Sequence, residues 1–521
     1  MARSRFSYTP QAEIPRAVFD RSHSHKMTID ERKLFPIYFD EALPGDTFRL
    51  RMTLFARLAT PIKPVMDNLW IDTHYFAVPY RLLWDNWESF NGAQEDPGEP
   101  TDYTTPQVNL DPTTMEEQTA NLVDAFGLPI NAGMAFPVNA FHFRAYNMIF
   151  NEWFRDQNLQ DGAHVPTDDG VDNQDWYYLH PRNKRHDYFT SCLPWPQKGD
   201  AVNIPLGGTA PVVGSGDHTP YFTQTGGSPV FSLQGSATQE IHASSTQLAV
   251  DGDIKWNSPN LIADLSGAST VTINELREAF QLQKMLERDA RGGTRYPEVI
   301  YAHFGVTNPD ARLQRPEYLG GGSTRVAVKP VEQNTPAIAG EDTPQGNLAA
   351  YGTAVMPSNG FTRSFTEHCV IIGLISTRSS QSYQFGIDRS WSRRTRYDYY
   401  WPALSHIGEQ AVLGREIWFD GTAADEDVFG YQERYAEYRY KQSLITGKFR
   451  SDDPQSLDIW HLGQDYANRP VLDNTFIQER PPIDRISAVP SEPAFLIDSF
   501  FDLKCARPMP LYGTPGNMDR F

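Results

Sequence analysis

Four arginines fall within eight residues, at Arg389, Arg393, Arg394 and Arg396, and aromatics follow at once at Tyr397, Tyr399, Tyr400 and Trp401. Guanidinium groups suit phosphate oxygens, and aromatic rings stack on bases of any identity, which is how single-stranded nucleic acid is held. The same residue types are enriched where protein surfaces meet, so the tract reads equally well as a subunit interface. A second tract, Tyr431 to Tyr440, offers Tyr431, Tyr435 and Arg439 to such an interface. A third cationic group opens the chain. Arg3, Arg5, Arg16, Arg21, Lys26, Arg32 and Lys33 stand against four acids in the first 33 residues, with Pro10 and Pro15 between them. Residues 1–40 therefore read as an extended basic arm, either solvated or laid along a neighbouring subunit or a nucleic acid. Arg3 and Arg5 join the four central arginines as candidate nucleic-acid contacts.

Patterns for catalysis are missing. There is no His-Glu-x-x-His, no Gly-x-Ser-x-Gly, no P-loop and no dinucleotide fingerprint after a strand. His23 and His25 lie two apart on the basic segment, too little for a metal site. Asp96 to Glu99 and Asp425 to Asp427 offer carboxylates to a cation, but acidic loops are ordinarily just solvated. No metal, cofactor or catalytic residue is assigned. A glycosidase needs two carboxylates facing across a cleft, and nothing singles out a pair among 65 Asp and Glu. The aromatic loops still leave one rival class, a β-sandwich carbohydrate-active enzyme or carbohydrate-binding protein with an inserted domain.

Charge and cysteine narrow the field. A net charge of −19 over 521 residues argues against one broad basic face. Cys192, Cys369 and Cys505 are odd in number and far apart, which predicts a reducing compartment and no disulfide framework. No apolar run follows the first arginines and none reaches membrane length, so synthesis and folding in a cytoplasm are expected.

The elements that must position these residues are mostly strands. Phe48, Leu50, Met52, Leu54, Ala56 and Leu58 alternate with Arg49, Arg51, Thr53, Phe55 and Arg57, a period of two. Leu69 to Val78 is apolar at most positions and predicts a strand covered on both faces. Cys369 to Thr377 and Ala494 to Lys504 are two more. Core strands near both ends, joined by long connections, predict a closed or double-sheet antiparallel architecture. Two helices are expected as packing elements. One runs over Asn139 to Leu159, with Arg144, Glu152, Arg155 and Asp156 off its apolar stripe; the other runs from Asn274 to Gly292-Gly293. Between Gly199 and Leu276 the chain holds one lysine, no arginine, seven acids and ten glycines in 78 residues. That stretch reads as an insertion displayed outward from a scaffold of 41–198 and 277–521.

Several long tracts resemble the major capsid protein of microviruses, specifically the gokushovirus branch. They are Phe143 to Asn158, Leu282 to Tyr296, Asp310 to Gly322 and Gly430 to Tyr440. The resemblance implies an all-β, eight-stranded antiparallel jelly roll with large inserted loops and a few helices, assembled into a small T=1 shell around a circular single-stranded DNA genome. It implies that the 199–276 insertion forms a three-fold protrusion that meets a host surface receptor. It also implies an internal scaffolding protein, a DNA pilot protein and a small basic DNA-binding protein as partners, with assembly in a bacterial cytoplasm. A shell of subunits this acidic needs local arginine linings to face its DNA. The basic arm, the Arg49/Arg51/Arg57 strand face and the Arg389–Arg396 tract are the ones available.

Overall fold

The computed structural model describes residues 15–202, 273–307, 309, 313–335 and 345–513, with the backbone of six short strands between 212 and 263. The chain divides into two compact units, Met1–Pro196 with Asp289–Phe521, and Gln197–Arg288.

Alternating side chains build the larger unit. Its principal strands are β1 (Ala17–Asp20), β2 (His23–Ile29), β3 (Phe35–Ala42), β4 (Thr47–Leu58), β5 (Leu69–Pro79), β6 (Glu317–Arg325), β7 (Ala327–Glu332), β8 (Leu348–Ser364), β9 (Cys369–Ser379), β10 (Glu409–Leu413), β11 (Val428–Glu433) and β12 (Phe495–Arg507). One antiparallel sheet runs β1-β12-β4-β8-β7, with β2 also added to β12; the other runs β6-β5-β9-β3. Setting aside β1 and β2, each sheet holds four strands. On β4 the apolar set from Phe48 to Leu58 is buried and the intervening set, including Arg49, Arg51 and Arg57, is exposed. The buried face meets the second sheet. Tyr75 on β5 donates its hydroxyl to Met52 Sδ at 3.3 Å, and its ring lies 5.6 Å from that of Phe361 on β8. Tyr38 on β3 packs 5.2 Å from Phe501 on β12.

Strands β5 and β9 are buried on both faces because helix lies on their outer side. The longer helices among the described residues are α1 (Glu117–Ala125), α2 (Phe141–Ile149), α3 (Ile273–Arg291) and α4 (Tyr296–Phe304). Asn139 opens α2, its Oδ1 accepting the Phe141 N–H at 2.8 Å. The helix widens into a π turn over Phe150–Phe154, where Phe154 packs 5.8 Å from Phe76 of β5. The helix expected to reach Leu159 thus stops at Phe154, since Arg155 is extended. Arg144, expected off the apolar stripe, points inward and is buried. The segment expected as an arm to residue 40 is strand over most of its described length, in β1, β2 and β3. Residues 1–14, with Arg3 and Arg5, lie outside the described residues.

A smaller core forms around the β10–β11 hairpin, from residues such as Tyr188, Phe189, Val412, Phe429 and Phe476. It carries the arginine tract. The smaller unit, taken alone, holds an antiparallel four-stranded sheet in the order Ile241–Ala243, Phe231–Gly235, Tyr221–Gln224, Ile254–Trp256. Leu261–Ala263 pairs with Val212–Gly214 beside it. Helix α3, expected as a packing element, leaves Leu276, Phe280, Leu282 and Met285 exposed along it.

Candidate interface and nucleic-acid surfaces

The four tract arginines separate into two pairs. Arg389 Nη1 lies 2.9 Å from Glu416 Oε1 and donates to the Ala411 carbonyl at 2.7 Å. Burial pushes the Glu416 carboxyl above its ordinary range, although the Arg389 charge opposes it. Tyr188 also donates to Glu416, at 2.8 Å. Arg393 lies 3.7 Å from Glu437 and sits 4.3 Å over the Tyr438 ring and 5.4 Å over that of Tyr399. Both guanidinium groups are thus engaged within the chain by nearly buried carboxylates. Arg394 and Arg396 are exposed, and among the described residues no carboxylate lies within ion-pair distance of either. Arg396 rests 5.2 Å over Tyr397 and 5.6 Å over Trp401, whose Nε1 donates back to the Arg396 carbonyl at 2.8 Å.

The two aromatic tracts, separate in sequence, meet in space. Tyr400 packs edge-on to Tyr435 at 5.3 Å and lies 6.2 Å from Tyr438. Tyr435 is buried in the left-handed region at φ +64°, a strained conformation for a bulky side chain. Gln410 on β10 stabilises that turn: its Oε1 accepts the Tyr435 N–H at 3.1 Å and its Nε2 donates to Glu437 at 2.7 Å. Tyr431 pairs by backbone with Leu193 at 2.8 and 2.9 Å, so it is part of the scaffold. Arg439 pairs with Glu433 at the surface. The outcome is a patch on which Trp391, Tyr397, Tyr399, Tyr400, Trp401 and Tyr438 remain 47–84% exposed. Sequence reasoning found the patch but not its supports, Gln410, Glu416 and Glu437, which carry no spacing signal of their own.

The other cationic surface is the open face of β4. Arg49, Arg51 and Arg57 project there with Phe55, and β12 adds Phe500 alongside through the Phe500↔Thr53 register. Of the acidic groups first considered for a cation, Asp425 is buried against Arg469 and accepts the Gly421 N–H. Among the described residues, no three His, Cys, Asp or Glu are arranged to hold a metal ion. All three cysteines are free and buried.

So much aromatic surface left bare is what a shell subunit presents before its neighbours cover it. With the antiparallel sandwich beneath, the class is that of viral capsid proteins. Comparison with known proteins narrows this further: the chain belongs to the phage capsid family described as capsid protein (F protein), which it matches over residues 7–517. It is 44% identical to capsid protein VP1 of Bdellovibrio phage phiMH2K, over 99% of this chain and 98% of that relative. Identity to capsid protein VP1 of Chlamydia phage 1 is 41%, over 99% and 98%; for the VP1 of Spiroplasma virus 4 it is 36%, over 98% and 97%. These are gokushoviruses, the branch that the sequence tracts resemble. The chain is a major capsid protein, a component of the virion. The family match leaves the carbohydrate-active alternative without support. No described helix is long and apolar enough to cross a membrane.

Proposed function

We propose that copies of this chain assemble into a closed T=1 icosahedral shell around a circular single-stranded DNA genome, as a structural and not a catalytic component. The observation that carries this is the bare aromatic surface. Tyr296, Tyr301 and Phe304 on α4 are 63–77% exposed, in addition to the Trp391–Tyr438 patch. Burial of apolar area at about 25 cal/mol per Å² is the force available to hold subunits together. Sedimentation and negative-stain imaging of the purified protein test it. Closed particles or capsomers are expected, and a monomer that persists at assembly concentrations with the internal scaffolding protein present would overturn the reading.

In this reading, DNA is held without base preference on the shell's inner side. Exposure without a carboxylate partner favours Arg394, Arg396 and the Arg49/Arg51/Arg57 face as its contacts; Arg389 and Arg393 serve the fold. Arg3 and Arg5 keep their proposed role at the chain's start. The internal scaffolding protein, the DNA pilot protein and the small basic DNA-binding protein are partners on the same family logic. The low-cation stretch 199–276 is the proposed outward protrusion for a host surface receptor. Its support is its composition and its place within a compact unit of its own, Gln197–Arg288. Replacing residues 203–270 by a short Gly-Ser linker should leave the larger unit folded and abolish attachment to host cells. Loss of the larger unit's folding would place the segment in the core instead.

A further inference from the structure

A cavity of about 680 Å³ opens between the end of the π turn, the Arg182–His186 segment and the residues that follow α3. Seven cationic side chains line it against one acidic residue, Asp156. Three of the seven are paired: Arg378 with Asp72, Arg291 with Glu409, and Arg295 with Glu298. The other four, Arg155, Arg182, Lys184 and Arg185, have no carboxylate within 4 Å among the described residues. Lys184 is 5% exposed, and its ammonium lies 2.8 Å from Gln464 Oε1, 4.3 Å over the Phe476 ring and 6.0 Å over that of Tyr466. Arg182 rests on Phe154 at 4.8 Å and Arg185 on Trp70 at 5.0 Å, ring faces in place of anions. The Nε atoms of Arg155 and Arg182 are buried with no hydrogen-bond partner among the described residues.

Such a cluster is costly for a protein standing alone. Burial holds the Arg182 and Lys184 charges below their usual range, and the Arg378 charge adds to this at Arg182. Acids such as Asp72, Glu479 and Asp187 act on these cations from beyond ion-pair distance. Like charges gathered in a low-dielectric pocket with no carboxylate in direct contact mark a place where an anion belongs. Guanidinium forks match planar carboxylates and tetrahedral phosphates alike, and a cavity this cationic suits the more highly charged of the two, phosphate. Trp153, 38% exposed at the cavity wall, provides a ring beside the cations.

We propose that this cavity is a phosphate-binding site, with Arg155, Arg182, Lys184 and Arg185 as its recognition groups. The site is separate from the Arg394/Arg396 and β4 surfaces and does not depend on them. Its size exceeds a single phosphate and suits a nucleotide or one step of a single-stranded DNA backbone. Phosphate is the shared chemistry, and the test distinguishes its sources.

Purified protein is titrated at fixed ionic strength with inorganic phosphate, thymidine monophosphate, an eight-nucleotide oligodeoxythymidylate and a polyglutamate peptide. Melting temperature and tryptophan fluorescence are followed. The three phosphate probes should raise the melting temperature saturably, and the peptide should do so at least tenfold more weakly. Arg182→Gln with Arg185→Gln should weaken the phosphate response at least tenfold while melting no lower than the wild type when phosphate is absent. Arg155→Gln, nearer the solvent, provides a second variant if the pair is poorly folded. An oligonucleotide at least tenfold tighter than inorganic phosphate assigns the site to the DNA backbone; equal affinities assign it to free phosphate or nucleotide. The proposal fails if the wild type does not respond, if the variants respond like the wild type, or if polyglutamate binds as well as phosphate. Failure leaves the capsid reading untouched, since assembly is measured separately.

Discussion

Arg144 and Asp172 form a two-pronged ion pair inside the protein. Nε lies 2.8 Å from Oδ2 and Nη2 lies 2.7 Å from Oδ1, with the side chains 0% and 1% exposed. The remaining guanidinium donors reach the carbonyls of Leu83 at 2.9 Å and Asp168 at 3.1 Å. Tyr177 donates its hydroxyl to Asp172 Oδ2 at 2.6 Å. The pair thereby ties α2 to the segment after β5 and to Val171–Asp172, which pairs with Gln107–Leu110. Nearly every polar atom is satisfied, the condition under which a buried ion pair is tolerated.

Removing one partner strands the other. Arg144→Met should destabilise the larger unit by about 3–5 kcal/mol, because Asp172 is left in a dry site without its cation. The midpoint of urea unfolding, followed by tyrosine and tryptophan fluorescence, checks this. A loss below about 1 kcal/mol would mean that water reaches Asp172 and the pair is not sealed.

The aromatic patch predicts a separation of assembly from folding. Tyr400→Ala with Trp401→Ala removes two half-exposed rings from the surface. Particle yield should fall at least tenfold, roughly the effect of losing 1.4 kcal/mol per contact, while far-ultraviolet circular dichroism stays unchanged. Arg393→Gln should behave in the opposite sense. It leaves Glu437 nearly buried without its cation, so the soluble subunit itself should lose yield and melting temperature.

The strands were the most legible part of the chain, and the reason is periodicity. Phe48 to Leu58 alternates because one face of β4 meets a core and the other does not, and a two-residue period survives any loop arrangement. Cys369 to Thr377 was equally plain, since a strand covered on both faces is a continuous apolar run. Arg144 was illegible for the converse reason: helical spacing shows a residue's face, not whether a carboxylate 28 positions on will neutralise it there. The same limit applied to the tract. Its clustering was visible, but the sorting of Arg389 and Arg393 from Arg394 and Arg396 depends on Glu416 and Glu437, which only the β10–β11 hairpin brings close. The cavity around Arg182 had no sequence signal beyond the ordinary Arg182-Asn183-Lys184-Arg185 run, because its other walls come from separate stretches of chain, Trp153 to Asn158, Arg291 to Arg295, Arg378 and Ile477.

Acid should weaken the fold through buried histidine. His180 is fully buried, stacked on Phe150 at 4.1 Å, with Nε2 2.8 Å from Asn147 Oδ1 and Nδ1 without a partner among the described residues. Burial, aided by the Lys33 charge, depresses it from 6.5 to about 3. A depressed value means the unfolded chain binds the proton first. The stability contribution is thus full above pH 6.5 and is lost as pH falls from there toward 3. Within that window each pH unit costs up to about 1.4 kcal/mol. Burial raises Glu416 and Glu479, and their effect runs the other way, falling with rising pH. The difference between wild type and His180→Gln isolates the histidine: the variant should lose less stability between pH 7 and pH 5. Parallel curves would show that His180 titrates normally.

The β4 face and the tract make different claims on DNA, and salt can rank them. Arg49, Arg51 and Arg57 share one exposed strand face, Arg49 and Arg51 adjacent on it and Arg57 beyond Thr53 and Phe55, so their charges lie along a line. Phosphates neutralised by that line release counter-ions, and affinity then falls with salt in proportion to the number of contacts. Replacing all three by glutamine removes three cations without touching the buried Phe48 to Leu58 set. Assembly should survive, and the slope of log affinity against log salt for single-stranded DNA should shrink by about 2. Arg394→Gln with Arg396→Gln should shrink it by about 1.4 if the tract also contacts phosphate. Sequence preference should stay flat in both variants, because neither surface is proposed to read bases. If the triple variant keeps the full slope and the packaged DNA content of its particles is unchanged, the β4 face does not meet the genome. Its arginines would then be assigned to contacts with acidic groups of neighbouring subunits, and the loss would appear in particle yield instead.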